Sequence, residues 1–219
     1  MLSIANLKVT GQDAAEFLQG QLTNDLRRLE SEAEMLAAWC NPKGRVIWFG
    51  TVRPIESGFG LSVPTDMADD LVRRLTLFRF RSKVEFEVID EGQTVDPAAR
   101  IADGIPWIGA AQSEEFTPHM LNLDLLDAIS LDKGCYTGQE IVARTHYKGA
   151  TKRRTLRFAS DAPVQAGDKI ELESRKIGEV LNAAGNEMLA VIPTDKADAE
   201  LSVAQVTLAR LTMPYEVAA

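Results

Sequence analysis

The pattern of apolar residues changes near residues 149–152, and this change constrains the fold more than any other feature. After it come short β-rich runs, each bounded by Gly, Pro, Asn or Asp: Thr155–Phe158, Lys169–Leu172, Ile177–Asn182, Glu187–Ile192 and Ala204–Arg210. Short strands separated by turn residues are typical of a small antiparallel barrel. We therefore predict two domains, residues 1–149 and a C-terminal β-barrel of residues 150–219.

The part before the change mixes strand and helix patterns. Alternating or apolar runs predict these strands: Ile4–Thr10, Met35–Asn41, Arg45–Arg53, Phe59–Val63 and Lys83–Ile89. A helix is predicted after Asp13 and another after Pro64, the second with Leu71, Leu75 and Phe78 on one face. The order β-α-β-β-β-α-β is close to a ferredoxin-like unit with one extra hairpin strand. The predicted fold class is α+β.

The segment between these two parts gives one clear helix signal. Residues 90–116 are polar and interrupted by Gly and Pro, so they are predicted to be irregular. Thr117-Pro118 then has Thr as a cap and Pro at the first helical position. We predict a helix there, with its buried face formed by Met120, Leu121, Leu125 and Ile129.

Composition excludes several classes of function. The net charge of −8 argues against a general binder of nucleic acid or anionic membrane. No apolar run approaches the roughly 18–20 residues that a membrane span needs. The start of the chain lacks the layout of a signal peptide, and two cysteines cannot build a disulfide framework. We expect a cytoplasmic monomer with no membrane partner.

The stretch Lys133–Glu140 concentrates polar chemistry: Lys133-Gly134-Cys135-Tyr136-Thr137-Gly138-Gln139-Glu140. Thr137 and Glu140 have the spacing of a capping box, which predicts a helix with Gly138 as its first residue. The free backbone N–H groups at such a helix start can hold an anion or a polar ring.

Three blocks of the chain carry a family resemblance. Lys133–Glu140, continued through Thr145, resembles the signature of the YgfZ family of folate-binding proteins, which are relatives of the glycine cleavage T-protein, an aminomethyltransferase. Phe17–Asp25 and Asn41–Val46 resemble two further motifs of that family. The resemblance implies a GcvT-like fold with a ferredoxin-like folate-binding region. It also implies a tetrahydrofolate-binding accessory protein that supports iron–sulfur cluster assembly or repair in selected enzymes, including tRNA-modifying ones. Its partners would be folate and iron–sulfur client or assembly proteins.

The resemblance assigns roles within the motif, and each role has a structural alternative. Glu140 is expected to accept hydrogen bonds from the pterin ring, although the residues alone favour a cap. Tyr136 and Gln139 are candidate second contacts, and Lys133 is either a contact to the folate carboxylate or simply solvated. Cys135 is the candidate functional thiol, because a place before a helix start favours thiolate, although it could instead fill a tight turn. Cys40 ends an apolar run and is predicted to be core.

Other candidates lie outside the motif. Asn24 and Asp25 either line the ligand opening or cap a helix. Residues 141–158 carry no acid and six cations: Arg144, Lys148, Lys152, Arg153, Arg154 and Arg157. Arg144 and this field are expected to attract the glutamate tail of folate, a phosphate or an RNA, or to be a solvated linker. An RNA-binding module is therefore one alternative function. His119 and His146 lack metal-ligand spacing, so no metal site is predicted.

The sequence departs from the T-protein pattern at one position. The resemblance places a catalytic aspartate in the strand after the Asn41–Val46 hairpin, but here that strand reads Val46-Ile47-Trp48-Phe49-Gly50. Aminomethyl transfer needs a carboxylate to manage protons and developing charge. Folate-dependent one-carbon transfer is therefore the disfavoured alternative.

Overall fold

Two compact units make up the chain. The computed structural model describes residues 1–149 and 151–217, so the predicted boundary at residue 150 lies outside the described residues. The first unit comprises Met1–Val95, Trp107–Pro118 and Asp127–Ala143, and the second comprises Asp96–Pro106, His119–Leu126 and Arg144–Ala219. Three segments that the sequence assigns to the N-terminal region, 96–106, 119–126 and 144–149, therefore belong to the second unit.

The first unit is built on a five-stranded antiparallel sheet in the order β2-β3-β4-β1-β5. Its strands are β1 (Leu2–Thr10), β2 (Met35–Cys40), β3 (Val46–Ile55), β4 (Gly58–Pro64) and β5 (Glu85–Val95). Its first two α-helices are α1 (Ala14–Gln19) and α2 (Ala68–Phe78), and 3-10 turns cover Leu26–Glu30 and Thr65–Met67. This order confirms the predicted β-α-β-β-β-α-β unit, with β2 as the extra strand at the sheet edge.

Side-chain burial explains why these residues form these elements. Strand β1 buries alternate residues, Ala5, Leu7 and Val9, as a sheet with one covered face requires. Strands β2 and β3 are instead buried on both faces where Trp39 pairs with Trp48, so they read as continuous apolar runs. This double burial makes the β2–β3 hairpin a rigid support for the residues of its loop.

The second unit contains a closed antiparallel barrel of six strands, in the order β10-β11-β6-β9-β8-β7. The strands are β6 (Arg153–Ser160), β7 (Lys169–Leu172), β8 (Arg175–Ala184), β9 (Glu187–Pro193), β10 (Ser202–Val203) and β11 (Val206–Leu211). The predicted C-terminal barrel is confirmed. Its core is filled by inward side chains such as Leu156, Phe158, Ile170, Val180 and Met188.

The helix predicted after Thr117-Pro118 is wrong, because residues 119–127 form successive turns. Asn122 and Asp127 have φ of 59° and 53°, a left-handed conformation that interrupts an α-helix. Asn122 is fully buried, and its amide donates a hydrogen bond of 2.8 Å to the carbonyl of Thr155. A tertiary hydrogen bond therefore overrides the local helix signal.

Two other helices complete the described elements. Helix α3 (Pro97–Ala102) lies in the segment predicted to be irregular, with Asp96 as its cap and Pro97 in its first turn. Helix α4 (Gln139–Lys148) follows the Lys133–Glu140 motif. Among the described residues, no helix has the length and hydrophobicity needed to cross a membrane.

Candidate functional site

The side chain of Lys133 ties the motif to the segment after α1. Lys133 is 5% exposed, and its ammonium donates hydrogen bonds to the carbonyls of Gln19 and Leu22 at 2.6 Å and of Asn24 at 3.1 Å. Burial lowers the pKa of Lys133 to about 8, so the ammonium remains mostly protonated at neutral pH and can make all three bonds. Lys133 is thus neither solvated nor free for a folate carboxylate, and both interpretations of it are wrong.

Gly138 joins the motif to the β2–β3 hairpin. Its φ is +83°, and a Cβ at this position would lie 2.5 Å from the carbonyl oxygen of Asn41 and 3.2 Å from the Cα of Gly44. Only glycine fits such a close approach in this conformation. Together with Lys133, this contact brings all three family-like sequence blocks to one place in the first unit.

The beginning of α4 differs from the predicted capping box. The helix starts at Gln139, so Gly138 lies outside it and Glu140 is its second residue. Within the described part of the chain, the exposed Glu140 carboxylate forms no hydrogen bond or ion pair. The capping prediction for Glu140 is therefore wrong, and its carboxylate is available to a ligand.

Tyr136 and Gln139 form a local pair at the same turn. The side-chain oxygen of Gln139 accepts a hydrogen bond of 3.3 Å from the Tyr136 backbone N–H. Tyr136 is buried, and among the described residues its hydroxyl has no hydrogen-bond partner. Burial raises the pKa of Tyr136, which keeps the hydroxyl protonated and able to donate. An unpaired buried hydroxyl costs about 1–3 kcal/mol, so a ligand that reached it would gain a hydrogen bond.

The two cysteines lie in opposite environments. Cys135 is exposed, whereas Cys40 is fully buried in β2. Burial raises the pKa of the Cys40 thiol to about 12, which suppresses thiolate formation. The prediction that Cys40 is core is confirmed, and Cys135 is the accessible thiol.

The side chains of Asn24 and Asp25 form hydrogen bonds with nearby backbone groups. Asn24 is fully buried, and its amide donates hydrogen bonds of 2.8 Å to the carbonyls of Leu36 and Asp127. Both N–H groups of the Asn24 amide are therefore used within the first unit. The carboxylate of Asp25 accepts from the backbone N–H of Arg27 and caps the 3-10 turn Leu26–Glu30. The capping interpretation is correct for Asp25.

The basic run of residues 141–158 is partly neutralised. Arg154 forms a two-pronged ion pair with Asp124 at 2.7 and 2.9 Å, and Arg157 pairs with Glu187 at 2.6 Å. Arg153 donates to the carbonyl of Ile177 at 3.0 Å. Arg144 and Lys152 are exposed, while the side chain of Lys148 lies outside the described residues.

A cavity beside the motif was not predicted. It has a volume of about 580 Å³ and adjoins the motif at Gly134. Its other lining residues are Ala15, Glu16, Gln19, Leu26, Arg27, Leu29, Glu30, Pro54, Gly58 and Phe59. Such a volume and a mostly apolar wall with a few polar groups suit a small organic ligand. No sequence pattern predicts this cavity, because its wall combines α1, a 3-10 turn and a strand end that are remote in the chain.

The strand β3 offers no carboxylate where the resemblance expects one. Val46, Trp48 and Phe49 are buried in the sheet, and the indole N–H of Trp48 donates to the carbonyl of Ser62 at 3.0 Å. Trp48 is thus a core residue held by its own hydrogen bond.

The structure brings together two histidines that the sequence separates. In the second unit, the rings of His119 and His146 have centroids 6.0 Å apart, and Asp124 lies beside them. The spacing argument against a metal site does not hold, because the turns of residues 119–127 return the chain to the end of α4.

Comparison with known proteins gives a consistent set of relatives. Residues 152–214 match the family described as CAF17, C-terminal beta-barrel domain. An uncharacterized protein of Haemophilus influenzae is 30% identical, with 96% of this chain and 95% of that protein covered. The tRNA-modifying protein YgfZ of Shigella boydii is 28% identical over 84% of this chain and 77% of its own length. The same values hold for YgfZ of Escherichia coli K12.

A solved structure extends the comparison to the fold. The glycine cleavage system aminomethyltransferase T of Bartonella henselae superimposes with a TM-score of 0.77, over 96% of this chain and 83% of that chain. The sequence identity is 14%, so this similarity concerns the fold. The predicted GcvT-like α+β architecture is confirmed.

Proposed function

Because the chain belongs to the YgfZ family, we propose that it is a tetrahydrofolate-binding accessory protein that supports the assembly or repair of iron–sulfur clusters in selected enzymes, including some that modify tRNA. The observation that carries the proposal is the exposed carboxylate of Glu140 at the start of α4, which has no hydrogen-bond or ion-pair partner among the described residues. The 2-amino-pyrimidinone edge of a pterin offers adjacent N–H donors, which a carboxylate can accept in pairs.

Neighbouring groups support a ligand at this turn. The Tyr136 hydroxyl is buried, protonated and without a partner among the described residues, so it could donate to a ring atom. Gln139 holds the turn through the Tyr136 backbone N–H, and Arg144 follows one helical turn after Glu140 on α4. In this proposal Glu140 and Tyr136 bind the pterin, Gln139 shapes its site, and Arg144 attracts the glutamate tail.

Calorimetric titration of the purified protein with tetrahydrofolate tests the pterin assignment. Glu140→Gln removes the charge but keeps the shape, so we expect binding about tenfold weaker or more, the loss typical of a charge-assisted hydrogen bond. Glu91→Gln, an exposed carboxylate on β5, is the matched control and should bind like the wild type. Equal affinity of the wild type and Glu140→Gln would refute this role of Glu140.

The cavity beside Gly134 offers a second place for the ligand, and one further variant separates the two. Ala15→Phe places a large side chain from an exposed position of α1 into the cavity wall. If Ala15→Phe abolishes folate binding while Glu140→Gln retains it, the pterin occupies the cavity and not the beginning of α4. We expect the opposite pattern.

Cys135 is the proposed reactive group of the accessory function. It is the exposed cysteine, whereas Cys40 is shielded by the core. We expect Cys135→Ala to retain tetrahydrofolate binding but to lose support of iron–sulfur enzymes in a strain lacking the endogenous protein. The matched variant Cys40→Ala tests the buried thiol. Full complementation by Cys135→Ala would show that the Cys135 thiol is not needed for this function.

The fold is compatible with an aminomethyltransferase, but strand β3 lacks the carboxylate that this reaction needs. Residues 46–50 of β3 contain no acid, and Trp48 occupies that strand as a buried core residue. Without a carboxylate to handle the proton at the folate amine, transfer loses its general acid–base group. We expect no turnover of an aminomethyl donor to methylenetetrahydrofolate, and sustained turnover would establish the enzyme instead.

A further inference from the structure

Three residues with metal-binding side chains, none of them given a role in the proposed function, meet in the second unit. His119 and Asp124 belong to the turns of residues 119–127, and His146 lies near the end of α4. One ligand atom from each residue lies within 4.8 Å of those of the other two. Two imidazoles and one carboxylate are a ligand set that transition metals use.

His119 gives an independent reason to expect a ligand. It is 2% exposed, and among the described residues neither of its ring nitrogens has a hydrogen-bond partner. A buried polar group without a partner costs about 1–3 kcal/mol, and such groups are rare in folded proteins. A metal ion bound to one of the two nitrogens would remove the cost for that nitrogen.

Asp124 is already held in place by Arg154. The two guanidinium nitrogens bind its two oxygens at 2.7 and 2.9 Å, and both side chains are 12% exposed. A carboxylate has about four lone-pair directions, so two remain for a metal. Ligating carboxylates commonly have such an outer partner, which fixes their orientation.

We propose that His119, Asp124 and His146 form a binding site for Zn²⁺. The charge of Arg154 offsets that of Asp124, which disfavours hard ions such as Ca²⁺ and Mg²⁺ that depend on several oxygen ligands. Zinc binds imidazole nitrogen well and accepts three protein ligands with an open fourth position.

The distances between the three candidate ligand atoms indicate which side chain must move when zinc binds. Zinc–ligand bonds of about 2.0–2.2 Å place tetrahedral ligand atoms about 3.4 Å apart, which is closer than the 4.8 Å limit seen here. His119 is buried and Asp124 is clamped, whereas His146 is exposed and can rotate. Binding therefore requires the His146 ring to turn toward the other two residues.

Zinc binding to this site can be tested directly, because the chain has few histidines. The chain has two histidines, so imidazole-bound metal in an untagged protein reports on this pair alone. The chelator-treated protein is titrated with zinc chloride by calorimetry, and the imidazole NMR signals are recorded alongside. We expect one Zn²⁺ per chain, shifts of both imidazole signals, and affinity reduced more than about 100-fold in His146→Ala, beyond the loss typical of an outer partner.

Controls separate this site from the exposed thiol. In Cys135→Ser the same zinc affinity and imidazole shifts should persist, and His119→Gln should lose them. His146 is exposed, so His146→Ala keeps the test valid even if His119→Gln fails to fold. The proposal is overturned if zinc fails to bind, if it binds without shifting the imidazole signals, or if Cys135→Ser abolishes binding while His146→Ala leaves it intact.

Discussion

Single side chains hold the candidate folate site together, and Lys133 is the clearest example. The sequence suggests a contact to the folate carboxylate or a solvated side chain, but here the ammonium points into the protein and donates hydrogen bonds to three backbone carbonyls. Lysine is rarely buried unless it is well paired, and three acceptors match its three N–H groups. Lys133 therefore has a structural role, and in the proposed function other residues of the motif bind the ligand.

Replacing Lys133 with methionine should destabilise the fold. The variant keeps the aliphatic stem but leaves three buried carbonyls without their charged donor, so we expect the free energy of unfolding to fall by about 2–4 kcal/mol. Urea denaturation measures the change. Lys43→Met, at an exposed position of the β2–β3 loop, should stay within about 0.5 kcal/mol of the wild type. A Lys133→Met protein as stable as Lys43→Met would contradict the proposed role.

At the scale of elements, sequence pattern predicted most of the sheet and the barrel. The strands were predictable because alternation and turn residues are local signals, and the predicted runs Met35–Asn41 and Arg45–Arg53 correspond to the paired strands β2 and β3. The helix predicted after Pro118 was wrong because the buried amide of Asn122 bonds to a residue of the barrel. The two-residue strand β10 was missed because it is shorter than any periodic pattern.

The site was less predictable than the fold for the same reason. The motif identified the turn and its thiol, since these lie within eight residues of sequence. The rest of the site depends on contacts between segments that are distant in sequence. Lys133 bonds to the segment after α1, Asn24 bonds to Asp127, and the ring of His119 lies near that of His146. Sequence spacing carries no record of such contacts.

The contact of Gly138, just before α4, with the β2–β3 hairpin leads to a prediction at this scale. Gly138→Ala adds a methyl group that would lie 2.5 Å from the Asn41 carbonyl in a left-handed backbone conformation. We expect a loss of stability clearly larger than the roughly 1 kcal/mol that left-handed strain alone costs. Gly92→Ala is the matched control, because its φ is +69° but no atom lies within 4 Å of the added group. Equal thermal shifts for both variants would show that the hairpin contact is unimportant.

At the scale of the whole molecule, charge bears on the RNA-binding alternative. The chain carries a net charge of −8, and three arginines of its basic run are committed to internal partners. Of the other cations in that run, Arg144 and Lys152 are exposed among the described side chains. Two exposed charges among the described side chains of this run are few for binding a phosphate backbone, which usually needs several contacts.

We therefore expect transfer RNA to bind weakly and with a shallow dependence on salt. Each phosphate contact contributes about 0.7–0.9 to the slope of log affinity against log salt, so two contacts give a slope near 2 at most. Fluorescence anisotropy of labelled transfer RNA between low and physiological salt measures it. The double variant Arg144→Ala and Lys152→Ala should remove this dependence, whereas Arg73→Ala with Lys83→Ala, exposed in the first unit, should not. A slope several times steeper would mean that a larger basic surface acts on RNA and would restore the RNA-binding alternative.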